Sequence, residues 1–102
     1  MAFTGDEAGE FPLETAAKWT ANYREQNPDK IRSHFFGYKI IRKILDQDGC
    51  VGIRCYYSLD EKGVQQLIMV GANAQEEDLY KGIIAEISRP CPPMCPPPNP
   101  LN

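Results

Sequence analysis

The sequence predicts an α+β domain with a helical N-terminal half, an antiparallel β-hairpin, a C-terminal helix or third strand, and a proline-rich tail. Three observations carry this expectation. Apolar residues recur at helical spacing as far as Leu45, the period changes to alternation after the Asp46-Gln47-Asp48-Gly49 turn, and cysteines and prolines crowd into the segment from Pro90 to Pro98. At 102 residues, 42% hydrophobic and 25% charged, the chain has the size and composition of one small globular domain. The expected layout is a flexible arm over 1–11, a single α+β domain over 12–89 and an extended Cys/Pro-rich tail over 90–102.

A first helix is expected from Pro12, with Leu13, Ala16, Trp19 and Tyr23 on one stripe, ending at Asn27-Pro28 because a residue before proline is pushed out of helical geometry. Asn27 then caps a second short helix that turns Ile31 and Phe35 inward and stops at Gly37. A third helix, over 38–46, places Ile40, Ile41, Ile44 and Leu45 on its buried side and Lys39, Arg42 and Lys43 on its wet side.

Beyond the turn, Val51, Ile53, Cys55 and Tyr57 share one face of a strand over 50–58, and Gly52, Arg54, Tyr56 and Ser58 share the other. Asp60-Glu61-Lys62-Gly63 forms the hairpin loop, with the return strand over 64–70. Its Leu67-Ile68-Met69-Val70 run is apolar on both faces and fits a covered strand. Asn73-Ala74-Gln75-Glu76 resembles a capping box, which favours a helix from Gln75 towards Ile87, with a third strand over 83–88 as the alternative. Two strands alone are marginal, so cover by helices, a third strand or another subunit is required.

The N-terminal residues lack a basic stretch followed by an apolar run, and no apolar stretch approaches bilayer length, which predicts a cytoplasmic protein without a membrane partner. The net charge of −3 is segregated: seven basic residues lie between Lys18 and Lys43 against Glu25 and Asp29, while residues 1–14 carry four acids and no base. With an acidic chain and no recognised binding module, nucleic acid is not an expected partner.

No catalytic signature stands out. His34 with Cys50 is a poor nucleophile pair, the Glu76-Glu77-Asp78 run fits a helix start, and the glycines do not form a phosphate loop. Cys55 reads as a small core residue on its strand face. The remaining sulfurs, Cys50, Cys91 and Cys95, make with His34 a Cys3His set of the kind structural zinc takes, although only one pair is closely spaced. Tail geometry decides how the pair can act. Extended polyproline II holds the Cys91 and Cys95 α-carbons about 12 Å apart, beyond the roughly 7 Å a disulfide spans. Only a sharp turn, such as a type VI turn with a cis Pro92-Pro93 bond, brings the sulfurs together.

An extended tail would be a recognition strip, with Pro92, Pro93 and Met94 entering a groove of aromatic rings. Trp19, Tyr23, Tyr38, Tyr56 and Tyr57 are available to form one, and Arg54, between Gly52 and Tyr56, can grip a carboxylate or stack in an interface.

The segments Trp19-Thr20-Ala21-Asn22-Tyr23-Arg24, His34-Phe35-Phe36-Gly37, Gly49-Cys50-Val51-Gly52-Ile53-Arg54 and Pro90-Cys91-Pro92-Pro93-Met94-Cys95 resemble a group of small uncharacterised bacterial proteins of about this length. The resemblance implies a standalone domain with the cysteine tail as part of its design. It also places His34, Cys50, Cys91 and Cys95 inside the motifs and Cys55 outside them.

The function expected from these readings is a non-catalytic protein-protein interaction or assembly module. Its tail docks on its own body or on a neighbouring subunit, self-association is expected and no cofactor is needed. A small metalloprotein with the Cys3His zinc site is the alternative, and thiol redox chemistry at Cys91 and Cys95 is a third reading.

Overall fold

The computed structural model describes residues 2–102, and its elements run α1 (Leu13–Gln26), β1 (Ser33–Phe35), α2 (Tyr38–Leu45), β2 (Cys50–Leu59), β3 (Gln65–Asn73), β4 (Ile84–Ala85) and β5 (Arg89–Cys91). The architecture is a mixture of two helices and two antiparallel sheets. Packing groups the chain into two compact units. One holds the residues up to Ala8 together with Phe36–Ser88, and the other holds Gly9–Phe35 together with Arg89–Asn102.

The first unit is built on a three-stranded sheet in the order β2-β3-β4, so the strand read as apolar on both faces occupies the centre. Met69, on one side of β3, and Val70 and Ala72, on the other, are buried. Gly37 caps α2 rather than ending a helix before it. The helix sets Ile44 against Met69 and Ala85, with Ile40, Ile41 and Ile53 packed around them. Leu45, expected beside Ile44, is 43% exposed. Gly71 permits this approach, because a side chain there would meet Cys50 Sγ at 2.9 Å and Ile44 at 3.3 Å.

A bulge between Cys50 and Gly52 shifts the register at the start of β2. The outer part of the strand leaves the core, so Cys55 is exposed rather than a core residue. At the hairpin loop, Gly63 takes φ 79°, Asp60 N–H donates to Val64 O at 3.0 Å, and Asp60 Oδ1 accepts from the Lys62 and Val64 amides. These bonds, with one from Gln66, hold the Asp60 carboxyl below its ordinary value.

The helix favoured from Gln75 does not form. Asn73 Oδ1 accepts from the Gln75 and Glu77 amides, as a capping residue does, but Glu76 takes φ 70° and the chain closes as a turn. Leu79 N–H then donates to Gly71 O, and Gln47 Oε1 receives the Ile83 amide at 2.9 Å. Long-range partners thus take the amides a helix would have used, and Ile84–Ala85 pairs with Met69 and Val70 as a short third strand. Near the N-terminus, Phe3 N–H donates to Ala74 O at 2.9 Å, and Glu7 accepts from the Thr4 and Gly5 amides.

In the second unit α1 starts after Pro12 and ends at Asn27, as expected, but contains no fully buried residue. Trp19 and Leu13 are exposed, and the half-buried side is instead Ala16, Ala17, Thr20, Ala21 and Arg24. The second helix gives way to a turn, in which Lys30 N–H donates to Asn27 O, followed by β1. β1 pairs antiparallel with β5, Ser33 opposite Cys91, His34 opposite Pro90 and Phe35 opposite Arg89. Arg32 N–H extends the ladder to Cys91 O at 2.7 Å. No neighbour in sequence pairs with β1; it is recruited as a strand by a partner far along the chain.

Burial separates two adjacent aliphatic positions of α2. Ile44→Ala is expected to lower stability by about 2–5 kcal/mol and Leu45→Ala by less than about 1 kcal/mol in urea unfolding; equal losses would contradict this packing.

Candidate functional site

Each unit carries one polar cluster of interest. In the first, Arg54 and Tyr56 lie two residues apart on β2 and therefore on one face. Arg54 Nη1 donates to Asp78 Oδ1 at 2.5 Å and to Glu76 O at 3.3 Å, and the Tyr56 hydroxyl donates to Asp78 Oδ2. The Arg54 guanidinium also stands 5.4 Å from the centre of the Phe3 ring. Arg54 therefore grips a carboxylate, that of Asp78. Sequence reasoning placed Asp78 at a helix start and missed it as a partner; the signal available was an Arg and a Tyr sharing a strand face, with an acidic turn farther along the chain.

This arrangement sets the protonation of its members. The hydrogen bond from Tyr56, then the Arg54 guanidinium, holds the Asp78 carboxyl below the ordinary carboxylate value. The same carboxylate pushes the Tyr56 hydroxyl and Arg54 up. Tyr38, expected as a groove residue, instead has the Arg42 guanidinium 5.2 Å from its ring centre. Cys50 is half-buried, and its Sγ lies 3.2 Å from Gly52 O.

The second unit holds the Cys/Pro segment. It is not extended. Cys91 and Cys95 form a disulfide with α-carbons 4.6 Å apart, and the Cys91-Pro92 and Pro92-Pro93 bonds are cis. Met94 N–H donates to Pro90 O at 2.9 Å, closing the turn across the prolines. Pro92, Pro93 and Met94 are exposed on it. After the turn the chain docks by polar bonds: Arg24 donates to Leu101 O at 2.8 Å, and Arg32 Nε donates to Asn102 Oδ1 at 2.9 Å. Trp19 packs against Phe11, ring centres 4.7 Å apart, and Tyr23 donates to Ile31 O.

The structure thus places His34, Cys91 and Cys95 in one unit and Cys50 in the other. Cys91 and Cys95 spend their sulfurs on each other, and among the described residues no group of three or more His, Cys, Asp or Glu side chains is arranged to hold a metal ion. Arg32 and Asn102, which flank the disulfide, were not singled out from the sequence. No helix among the described residues is long and apolar enough to cross a membrane. No protein-family model, curated protein or solved structure matches the chain.

Because the Asp78 value is depressed on folding, the stability it contributes is fully present above about pH 4 and is lost as the pH falls through the folded-state value. Asp78→Asn is expected to lower the melting temperature near about pH 7, with the gap to the wild type closing towards about pH 2. A gap independent of pH, followed by circular dichroism, would contradict the charged role of Asp78.

Proposed function

We propose that the chain is a non-catalytic interaction module that self-associates, with its C-terminal segment clasped to its own body. The observation that carries this reading is the outer edge of β2. Among the described residues no strand pairs with that edge. The bond from Asp60 N–H to Val64 O marks 60 and 64 as a hydrogen-bonded pair. Counting back by twos along the β2-β3 register, Ser58, Tyr56 and Arg54 turn their backbone groups towards β3. Ile53, Cys55, Tyr57 and Leu59 therefore turn theirs outward.

Of these, Cys55, Tyr57 and Leu59 are exposed, Tyr57 at 86% and Leu59 at 72%. A long edge of this kind, in a 10-residue strand, is a template for pairing with another chain. A second copy satisfies it by two-fold symmetry. With Tyr57 on the axis, Cys55 stands opposite Leu59 of the second copy and Arg54 opposite Asp60, which sets unlike charges across the pair.

The bonds from Arg24 and Arg32 to the last two residues support the clasp half of the reading. A reducing compartment would expose the Cys91–Cys95 bridge to a thiol pool. The zinc alternative requires that reduced state, since bridged sulfurs are not metal ligands, and stoichiometric zinc in reduced protein would favour it.

Sedimentation equilibrium tests the proposal. The wild-type chain is expected at twice its 11.5 kDa mass, and Tyr57→Lys, which places like charges on the axis, at the single mass while still unfolding cooperatively. A wild-type chain that stays monomeric at its highest soluble concentration would overturn it.

A further inference from the structure

The C-terminal turn carries chemistry that self-association does not use. Cys91 is fully buried and Cys95 is exposed, so an incoming thiolate reaches only one sulfur of the bridge. Arg32 Nη2 lies 3.7 Å from Cys95 Sγ, while Arg32 Nε holds Asn102 Oδ1, which itself lies 3.7 Å from Cys91 Sγ. A cation therefore stands beside the accessible sulfur and a hydrogen-bond acceptor beside the buried one. Beside Cys95 opens a groove of about 480 Å³ lined by Ser33, His34, Phe35, Arg89, Met94 and Pro96. Phe35 and Met94 are 67% and 59% exposed, apolar walls suited to side chains flanking a cysteine in an extended peptide.

We propose that Cys91–Cys95 is a thiol-disulfide exchange site that oxidises a dithiol within an extended peptide, with Cys95 as the sulfur attacked. The first peptide thiolate, drawn by Arg32, attacks Cys95 Sγ. The bond between Cys95 and Cys91 breaks and its electron pair leaves on Cys91 Sγ, which takes up a proton and donates the new S–H to Asn102 Oδ1. The second peptide thiolate then attacks the peptide sulfur of the mixed disulfide. A peptide disulfide forms, and Cys95 leaves as a thiolate whose charge faces the Arg32 guanidinium. Two electrons pass from the peptide to the cysteine pair. Of the two peptide protons, the balance leaves one on Cys91 and one in solvent.

The test uses the oxidised full-length chain and a synthetic reduced peptide carrying two cysteines beside apolar residues, followed by mass spectrometry. Peptide oxidation is expected to run at least about 10-fold faster than with oxidised glutathione at equal disulfide concentration. Arg32→Ala is expected to remove most of that advantage and Arg32→Lys to restore part of it. Independently of those variants, the Cys91→Ser chain offered the oxidised peptide is expected to accumulate a mixed disulfide at Cys95. A wild-type rate equal to that of oxidised glutathione would overturn the proposal. So would capture in Cys91→Ser no faster than capture at Cys91 in Cys95→Ser.

Discussion

The antiparallel pairing of Ser33–Phe35 with Arg89–Cys91 is the constraint on which the second unit depends. It joins two of the three places where the chain passes from one unit to the other, since Phe35 and Arg89 each border the inserted segment Phe36–Ser88. In an unfolded chain, closing a loop on the order of fifty residues costs about 3–4 kcal/mol beyond a constant term. The three-residue ladder and the Arg32 to Cys91 bond offset little of that alone. The disulfide between Cys91 and Cys95 restricts the freedom of the returning strand, and Arg24 and Arg32 fasten the last two residues of the chain.

Such fastening accounts for a helix with no fully buried residue. At 14 residues α1 is marginal in isolation, and its apolar stripe of Leu13, Trp19 and Tyr23 is not what holds it. Its half-buried side is made of alanines, Thr20 and Arg24, residues small or polar enough for backbone to approach and for a guanidinium to reach Leu101 O. The other unit works by ordinary means. There Ile44, Met69 and Ala85 form an apolar centre under a three-stranded sheet, and the Arg54-Tyr56-Asp78 cluster closes its opposite face.

The legibility of the fold divides along the same line. Local patterns reveal α1, α2, the hairpin and the central place of the Leu67 to Val70 run, because period, proline and glycine act within a few residues. The errors fall where distant partners override local preference. Residues 33–35 become a strand because Arg89–Cys91 needs a neighbour, and Asn73 caps a turn because Gly71 and Gln47 claim the next amides. Cys55 leaves the core because the strand outruns the helix that covers its beginning, which parity alone does not reveal. At the candidate site the sequence singles out Cys91, Cys95 and Arg54 but not the groups that give them meaning. Arg32 and Asn102 are 70 positions apart, and Asp78 lies 24 from Arg54.

Amide hydrogen exchange compares the roles of the two units most directly. In the full chain the α1 amides should be protected, and in a chain ending at Ser88 they should exchange at nearly unfolded rates while the amides of β3 keep their protection. Protection of α1 that survives loss of residues 89–102 would contradict the claim that the returning strand holds this helix in place.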